Sequence, residues 1–349
     1  MFSSEFQMQP ASNAETANRK KPAPARGDWL GGKAPDFETP TACPENLCQH
    51  DEWQSANRAW WESHPMRYDW KRPLPGDSGE SAWYGEIDRR FFEAAVLPPS
   101  PDPFGALLRR QLVAGKSVLE VGVGMGSHAQ ILAEGARGFV GIDLSWPAVA
   151  GTRRRLELAG NRGQVVQMDV EKLAFPDGAF DLVWSWGVIH HSASTRRALE
   201  EIRRVLKPGG CALVMVYHRA FVPWFVHTGL IRGVLLGGLW RSRGIHALVQ
   251  EFTDGAVARY YTAKEWRKEI EGLFEAEALE IYGNRGEILP LPSGRLKDAM
   301  TRCIPESFKH FWLTACRQGT LLFSALRPLE TASPGLPADH LARQAASAR

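Results

Sequence analysis

Cysteine is scarce in this chain of 349 residues: Cys43, Cys48, Cys211, Cys303 and Cys316 are odd in number and widely scattered. That excludes a disulfide framework and points to a reducing, cytoplasmic setting. Cys43 and Cys48 have no second Cys or His pair at matching spacing, so no metal site is expected. Charge of one sign is lacking as well. The 42 basic residues are offset by 39 acidic ones and spread along the chain, which removes the basic footprint of a nucleic-acid binder. Residues 1–9 lack the charged-then-apolar order of a secretory leader. Only residues 221–240 approach the ~20 apolar residues of a membrane span. Pro223, His227, Arg232 and several glycines interrupt them, so the run reads as a buried or interfacial insertion, with passing contact to a membrane surface left open. Nothing in the composition sets an oligomeric state.

The chain does contain an ordered alternation of patterns. Residues 1–48 are rich in Pro, Gly, Ser, Asn and Ala and read as a disordered arm; residues 328–349 read as a flexible tail. A helical cap is expected over 49–104. Its aromatic segment 53–70 places Trp53, Trp60 and Trp61 on a helix, followed by Met66, Tyr68 and Trp70 as lining for a site, and a second amphipathic helix falls at 85–95. Residues 105–219 alternate short apolar runs (117–121, 138–142, 164–168, 182–185, 212–216) with helical stretches (127–134, 146–159, 195–206). This is the pattern of an α/β fold, a Rossmann-like doubly wound parallel sheet with crossover helices. Residues 220–262 form a helical insertion or lid after strand five, and 263–327 complete the fold with a helix and two strands.

The strongest motif is Val118-Leu119-Glu120-Val121-Gly122-Val123-Gly124-Met125-Gly126, a strand running into a glycine-rich turn that opens a helix. Glycine permits left-handed backbone and close approach to a ligand. A dinucleotide fingerprint would need its third glycine at position 127, which is Ser127, so a nicotinamide-dependent oxidoreductase is the weaker reading. Asp143 follows the next strand about 20 residues beyond the loop, where an acceptor for ribose hydroxyls belongs. Asp169 and Val170 follow the third strand, Trp186, His190 and His191 the fourth, and the turn 206–210 leads into the fifth.

These landmarks, in this order, resemble the class I S-adenosylmethionine (SAM)-dependent methyltransferases, and the segment 180–191 resembles their ubiquinone/menaquinone-biosynthesis-like, type 11 subgroup. The resemblance covers the core well and the flanks loosely. It implies SAM as cofactor, with S-adenosylhomocysteine as product and no metal requirement. It further implies cofactor contacts from Glu120, Gly122, Gly124, Gly126, Asp143, Leu144, Asp169, Val170, Ser185 and Trp186. Asp143 would accept from the ribose, Asp169 from the adenine amine, and Val170 would pack on the ring.

Candidates for a base or for substrate contact stand at the carboxyl ends of strands four and five: His190, His191, Tyr217 and His218, with Arg219 beside them. The apolar insertion, the aromatic N-terminal segment and Tyr260-Tyr261 together suggest a large pocket for a hydrophobic small molecule such as an isoprenoid, quinone-like, polyketide or lipid acceptor. Arg232, Arg241 and Arg243 are candidates to pair with an anionic head. The competing reading is a non-catalytic SAM-binding interaction or regulatory protein.

Overall fold

The computed structural model describes residues 37, 39–69, 73–76, 80–96, 113–291 and 294–329. Most of the expected arm and tail, and Trp70, therefore lie outside the described residues.

A nine-stranded sheet organises the described residues. Its strands are β1 (Ala95–Val96), β2 (Ser117–Val121), β3 (Gly138–Asp143), β4 (Gln164–Gln167), β5 (Phe180–Trp186), β6 (Leu206–His218), β7 (Tyr260–Tyr261), β8 (Phe274–Asn284) and β9 (Leu321–Pro328). The order is β1-β8-β9-β6-β5-β2-β3-β4, with β7 beside β6. β4, β3, β2, β5 and β6 are mutually parallel, whereas β9 runs antiparallel to both β6 and β8.

The central parallel strands β2, β5 and β6 are largely buried on both faces, which is why they read as continuous apolar runs. In β6, Leu213 and Met215 enter one core cluster while Ala212, Val214 and Val216 enter the other. Helices cover both faces. On one side α3 (Ser127–Gly135) and α4 (Trp146–Ala159) bury Ala129, Leu132, Val149 and Leu156. On the other, α5 (Thr195–Val205) buries Ala198, Leu199, Ile202 and Val205, the spacing of one helical face, beneath an N-cap in which Ser194 accepts from the Arg197 amide. Between β5 and β6 the register slips: Phe180 faces Leu206 but Leu182 faces Cys211, so residues 207–210 loop out at the expected turn.

Chain order reverses at β2, whose neighbours are β3 on one side and β5 on the other. The connections that follow β2 and β5 therefore lead to opposite sides and leave a crevice at the carboxyl ends of the strands.

The N-terminal cap begins with α1 (Leu47–Ser63), whose N-cap Asn46 accepts from the Gln49 amide at 3.0 Å. It turns Trp53, Asn57 and Trp60 inward, while Trp61 faces the crevice. The composition boundary at residue 48 and the packing boundary differ: Phe37 is buried edge-on against Trp53, and the Pro40 carbonyl accepts from the Tyr260 amide. An aromatic and a few backbone groups suffice to fix a segment whose composition alone suggests an arm. The second cap helix, α2 (Ser81–Ala94), buries Trp83, Tyr84, Ile87 and Phe91.

The apolar insertion folds as a π-helix, Val222–Leu235, that buries Trp224, Thr228, Gly229 and Gly233 and leaves Phe225, Leu230 and Val234 exposed. No helix among the described residues is long and apolar enough to cross a membrane.

Candidate active site

The glycine turn after β2 is built from left-handed backbone. Gly122, Gly124 and Gly126 have φ of 78°, 51° and 79°. At Gly122 a Cβ would overlap the Val188 side chain, so the turn and the segment after β5 can close together only without one. The Gly122 amide donates to the Ile142 carbonyl at 2.7 Å, and the Gly124 amide to Asp143 Oδ2 at 3.1 Å. Ser145 supplies its amide and hydroxyl to Asp143 Oδ1, each at 2.9 Å. Burial raises the Asp143 carboxyl pKa, and these hydrogen bonds work against the rise.

Above the turn lies a cavity of about 410 Å³, within the range of about 300–1,000 Å³ usual for small-ligand sites. Its floor comes from the strand ends: Gly122 and Gly124 after β2, Asp143 and Leu144 after β3, Asp169 and Val170 after β4, Trp186 and Val188 after β5, and Tyr217 on β6. The cap supplies Gln54, Asn57, Trp61, Met66 and Tyr68, and the loop before β7 supplies Asp254.

Asp169 accepts from Gln54 Nε2 at 2.7 Å and from the Glu171 amide at 2.9 Å. Gln54 in turn accepts from the Ala193 amide, so α1 is stitched to both the third- and fourth-strand loops. Asn57 continues the seam, donating to the His191 carbonyl and accepting from the Val257 amide. Ser127, at the start of α3, donates to Asp88 of α2 at 2.6 Å, and Asp88 pairs with Arg155 of α4.

The histidine candidates separate by position. His191 lines the cavity; its Nδ1 donates to the Val257 carbonyl at 2.8 Å, which leaves Nε2 as the nitrogen with a free lone pair. Burial holds this ring down to a pKa of about 4. His190 does not reach the cavity: it is fully buried, with its ring against those of His191 and Tyr217 at 4.1 and 4.0 Å. His218 is turned away as well, held by the Gly319 carbonyl at 2.7 Å from Nδ1. Alternation along β6 explains the pair, because Tyr217 and His218 must point to opposite faces. Burial pushes the Tyr217 hydroxyl well above its usual pKa, so it stays protonated.

Three of the cofactor candidates lie behind the cavity wall. Ser185 is buried in β5, and Gly126 caps α3 against Arg155 and Thr152. Glu120, on β2, is buried with both carboxyl oxygens lacking a hydrogen-bond partner among the described residues, and burial, with Asp143 nearby, raises its pKa well above the usual value.

The insertion does not contribute to this cavity. No residue of 221–240 lines the cavity, and Tyr261 is buried in the core. Arg232 lies over the Phe252 ring at 3.9 Å, while Arg241 and Arg243 face outward. No Lys or Arg is among the described cavity residues, and no group of three or more His, Cys, Asp or Glu among the described residues could hold a metal.

A parallel sheet reversing at β2, with a left-handed glycine turn at that reversal and acids after the next two strands, is the Rossmann-like arrangement of the methyltransferase fold. Residues 119–214 match the family described as a methyltransferase domain. Similar proteins include a demethylmenaquinone methyltransferase of Thermus thermophilus, 38% identical over 106 residues, covering 30% of this chain and 48% of that one. A tRNA U34 carboxymethyltransferase of Methylococcus capsulatus is 30% identical over 203 residues, 53% of this chain and 57% of that one. A fatty-acid O-methyltransferase of Mycolicibacterium smegmatis is 41% identical over 100 residues, 28% of this chain and 36% of that one. The chain thus spans about half the length of the first two relatives.

Proposed function

We propose that this chain transfers a methyl group from SAM to a small acceptor with an apolar body, both bound in the cavity over the glycine turn. The observation that carries the reading is the placement of Asp143 and Asp169 at the ends of adjacent parallel strands, both on the cavity wall beside Gly122 and Gly124. The residues suit the cofactor. A carboxylate can accept from two neighbouring hydroxyls, so Asp143 fits the ribose; Asp169 fits the adenine amine, and Leu144 and Val170 supply apolar faces for the base. When bound, SAM supplies a methyl group on a positively charged sulfur.

The chain's own contribution is positional. Trp61, Met66 and Tyr68 from the cap close over the strand ends and exclude water, and alignment of two reactants can lower a barrier by ~7–11 kcal/mol. His191, kept neutral by burial, offers Nε2 as a hydrogen-bond acceptor that orients the acceptor molecule. Tyr217 offers a hydroxyl that remains a donor.

Calorimetric titration of SAM and S-adenosylhomocysteine into the purified protein tests the reading. Both should bind, and Asp143→Ala should weaken both by about ten- to a hundredfold, the loss of charged hydrogen bonds. No binding by the folded wild-type protein overturns the assignment. Conversion of SAM to S-adenosylhomocysteine with some acceptor separates an enzyme from a protein that only binds the cofactor.

A further inference from the structure

Three aspartates line the cavity, and they are not equivalent. Asp143 and Asp169 have their oxygens engaged by Gly124, Ser145, Gln54 and Glu171 and belong to the cofactor half. Asp254 makes no hydrogen bond or ion pair among the described residues, although it faces the same space. It is carried on the loop between α6 (Ile245–Gln250) and β7, which is fixed on both sides. Thr253 shares a hydrogen bond with the Tyr260 hydroxyl at 2.8 Å, and Val257 is held by Asn57 and His191. Gly255, with φ of 87°, lies so close to the His191 ring that a Cβ there would overlap it.

Asp254 is therefore set beside a chain of rings. Trp61 meets His191 edge-on at 5.1 Å, and His191 meets Tyr217 at 5.5 Å. Tyr68, Tyr217 and Tyr260 are all within electrostatic reach of the Asp254 carboxylate, as is the His64 ring. A carboxylate with no hydrogen-bond partner among the described residues, set among aromatic faces in a cavity whose described lining holds no Lys or Arg, attracts positive charge through both the acid and the ring quadrupoles.

Resting on the methyl-transfer reading, we infer that Asp254 and the rings of Trp61, Tyr68 and Tyr217 form a subsite for a protonated amine, so that the acceptor atom is the nitrogen of a basic, otherwise apolar molecule. The reaction then balances within the cavity. The bound ammonium gives one proton to the Asp254 carboxylate; the freed nitrogen lone pair forms the N–C bond as the C–S bond breaks with its electron pair passing to sulfur. The products are a methylated ammonium, the neutral thioether and a protonated Asp254. Burial raises the Asp254 pKa to about 6, which suits a proton acceptor better than His191 at about 4.

Three soluble probes of matched size test the subsite: benzylammonium, benzyl alcohol and benzoate, titrated into protein saturated with S-adenosylhomocysteine. Benzylammonium should bind at least about tenfold more tightly than benzyl alcohol, with benzoate weakest. Asp254→Asn should reduce that preference to about twofold or less while keeping its affinity for S-adenosylhomocysteine. Asp254→Ala, which also removes the amide, should behave in the same way. Benzyl alcohol or benzoate binding as well as benzylammonium, a preference that survives in both variants, or no benzylammonium binding overturns the inference. Failure of S-adenosylhomocysteine itself to bind instead overturns the methyl-transfer reading.

Discussion

At the scale of single residues, several histidines of the molecule are buried or half-buried and neutral. His128 is pushed down to about 3, His191, His227 and His246 to about 4, and His190 well below its ordinary value, in each case chiefly by burial. In the unfolded chain these rings protonate near 6.5, whereas the folded protein keeps them neutral. Between those values the unfolded state binds more protons, so their contribution to stability is complete above about 6.5 and is lost as pH falls towards 4. His246, between the Phe37 and Trp224 rings and away from the cavity, isolates the effect. The stability difference between pH 7 and pH 5, measured by urea unfolding, should shrink by on the order of 1–2 kcal/mol in His246→Asn. An unchanged difference would mean that this ring protonates in the folded state as easily as in water.

At the scale of elements, what could be read in advance was what is local. The run from Glu120 to Gly126 announces a strand, a turn and a helix because left-handed backbone requires glycine at particular positions, and Asp143 follows at a spacing fixed by one helix and one strand. The helix α5 was legible for the same reason, its four apolar positions sharing one face. Truncating its most central one, Ile202→Ala, should cost about 2–5 kcal/mol in chemical denaturation, with S-adenosylhomocysteine affinity unchanged because the residue is on the sheet face away from the turn. The cap side of the site was legible only in its aromatic segment, where Met66 and Tyr68 line the cavity. Gln54, Asn57 and Asp254 come from segments with no motif of their own, and they acquire meaning only through partners at Asp169, His191 and Val257. The insertion was over-read in the other direction. Its apolar length suggested a pocket wall, yet its exposed side chains face away from the cavity, and hydropathy cannot say which way a face points.

At the scale of the whole molecule, Arg259 joins regions that are remote in sequence. Its guanidinium is fully buried and donates to the carbonyls of Ala42, Ser192 and Ala193, while its charge lies over the Phe37 and Trp53 rings. One side chain thus holds the N-terminal segment, the loop after β5 and the strand β7. Replacing it by Met keeps volume but leaves three carbonyls without donors, each costing about 1–3 kcal/mol. Arg259→Met should therefore lower the melting temperature and raise hydrogen exchange in residues 39–63 before the parallel core is affected. Uniform exchange across the chain would show that cap and core unfold as one unit.

The same tie has a consequence for how the chain is made. Asn57 meets Val257 across 200 residues, and Trp53 is covered on the far side by Arg259. During synthesis α1 leaves the ribosome long before either partner exists, with Trp53 and Trp60 uncovered. The parallel core can assemble first, from contacts close in sequence; the cap has to wait. The roof of the cavity cannot be fixed before residue 259 emerges, and until then its tryptophans are a surface that chaperones can hold.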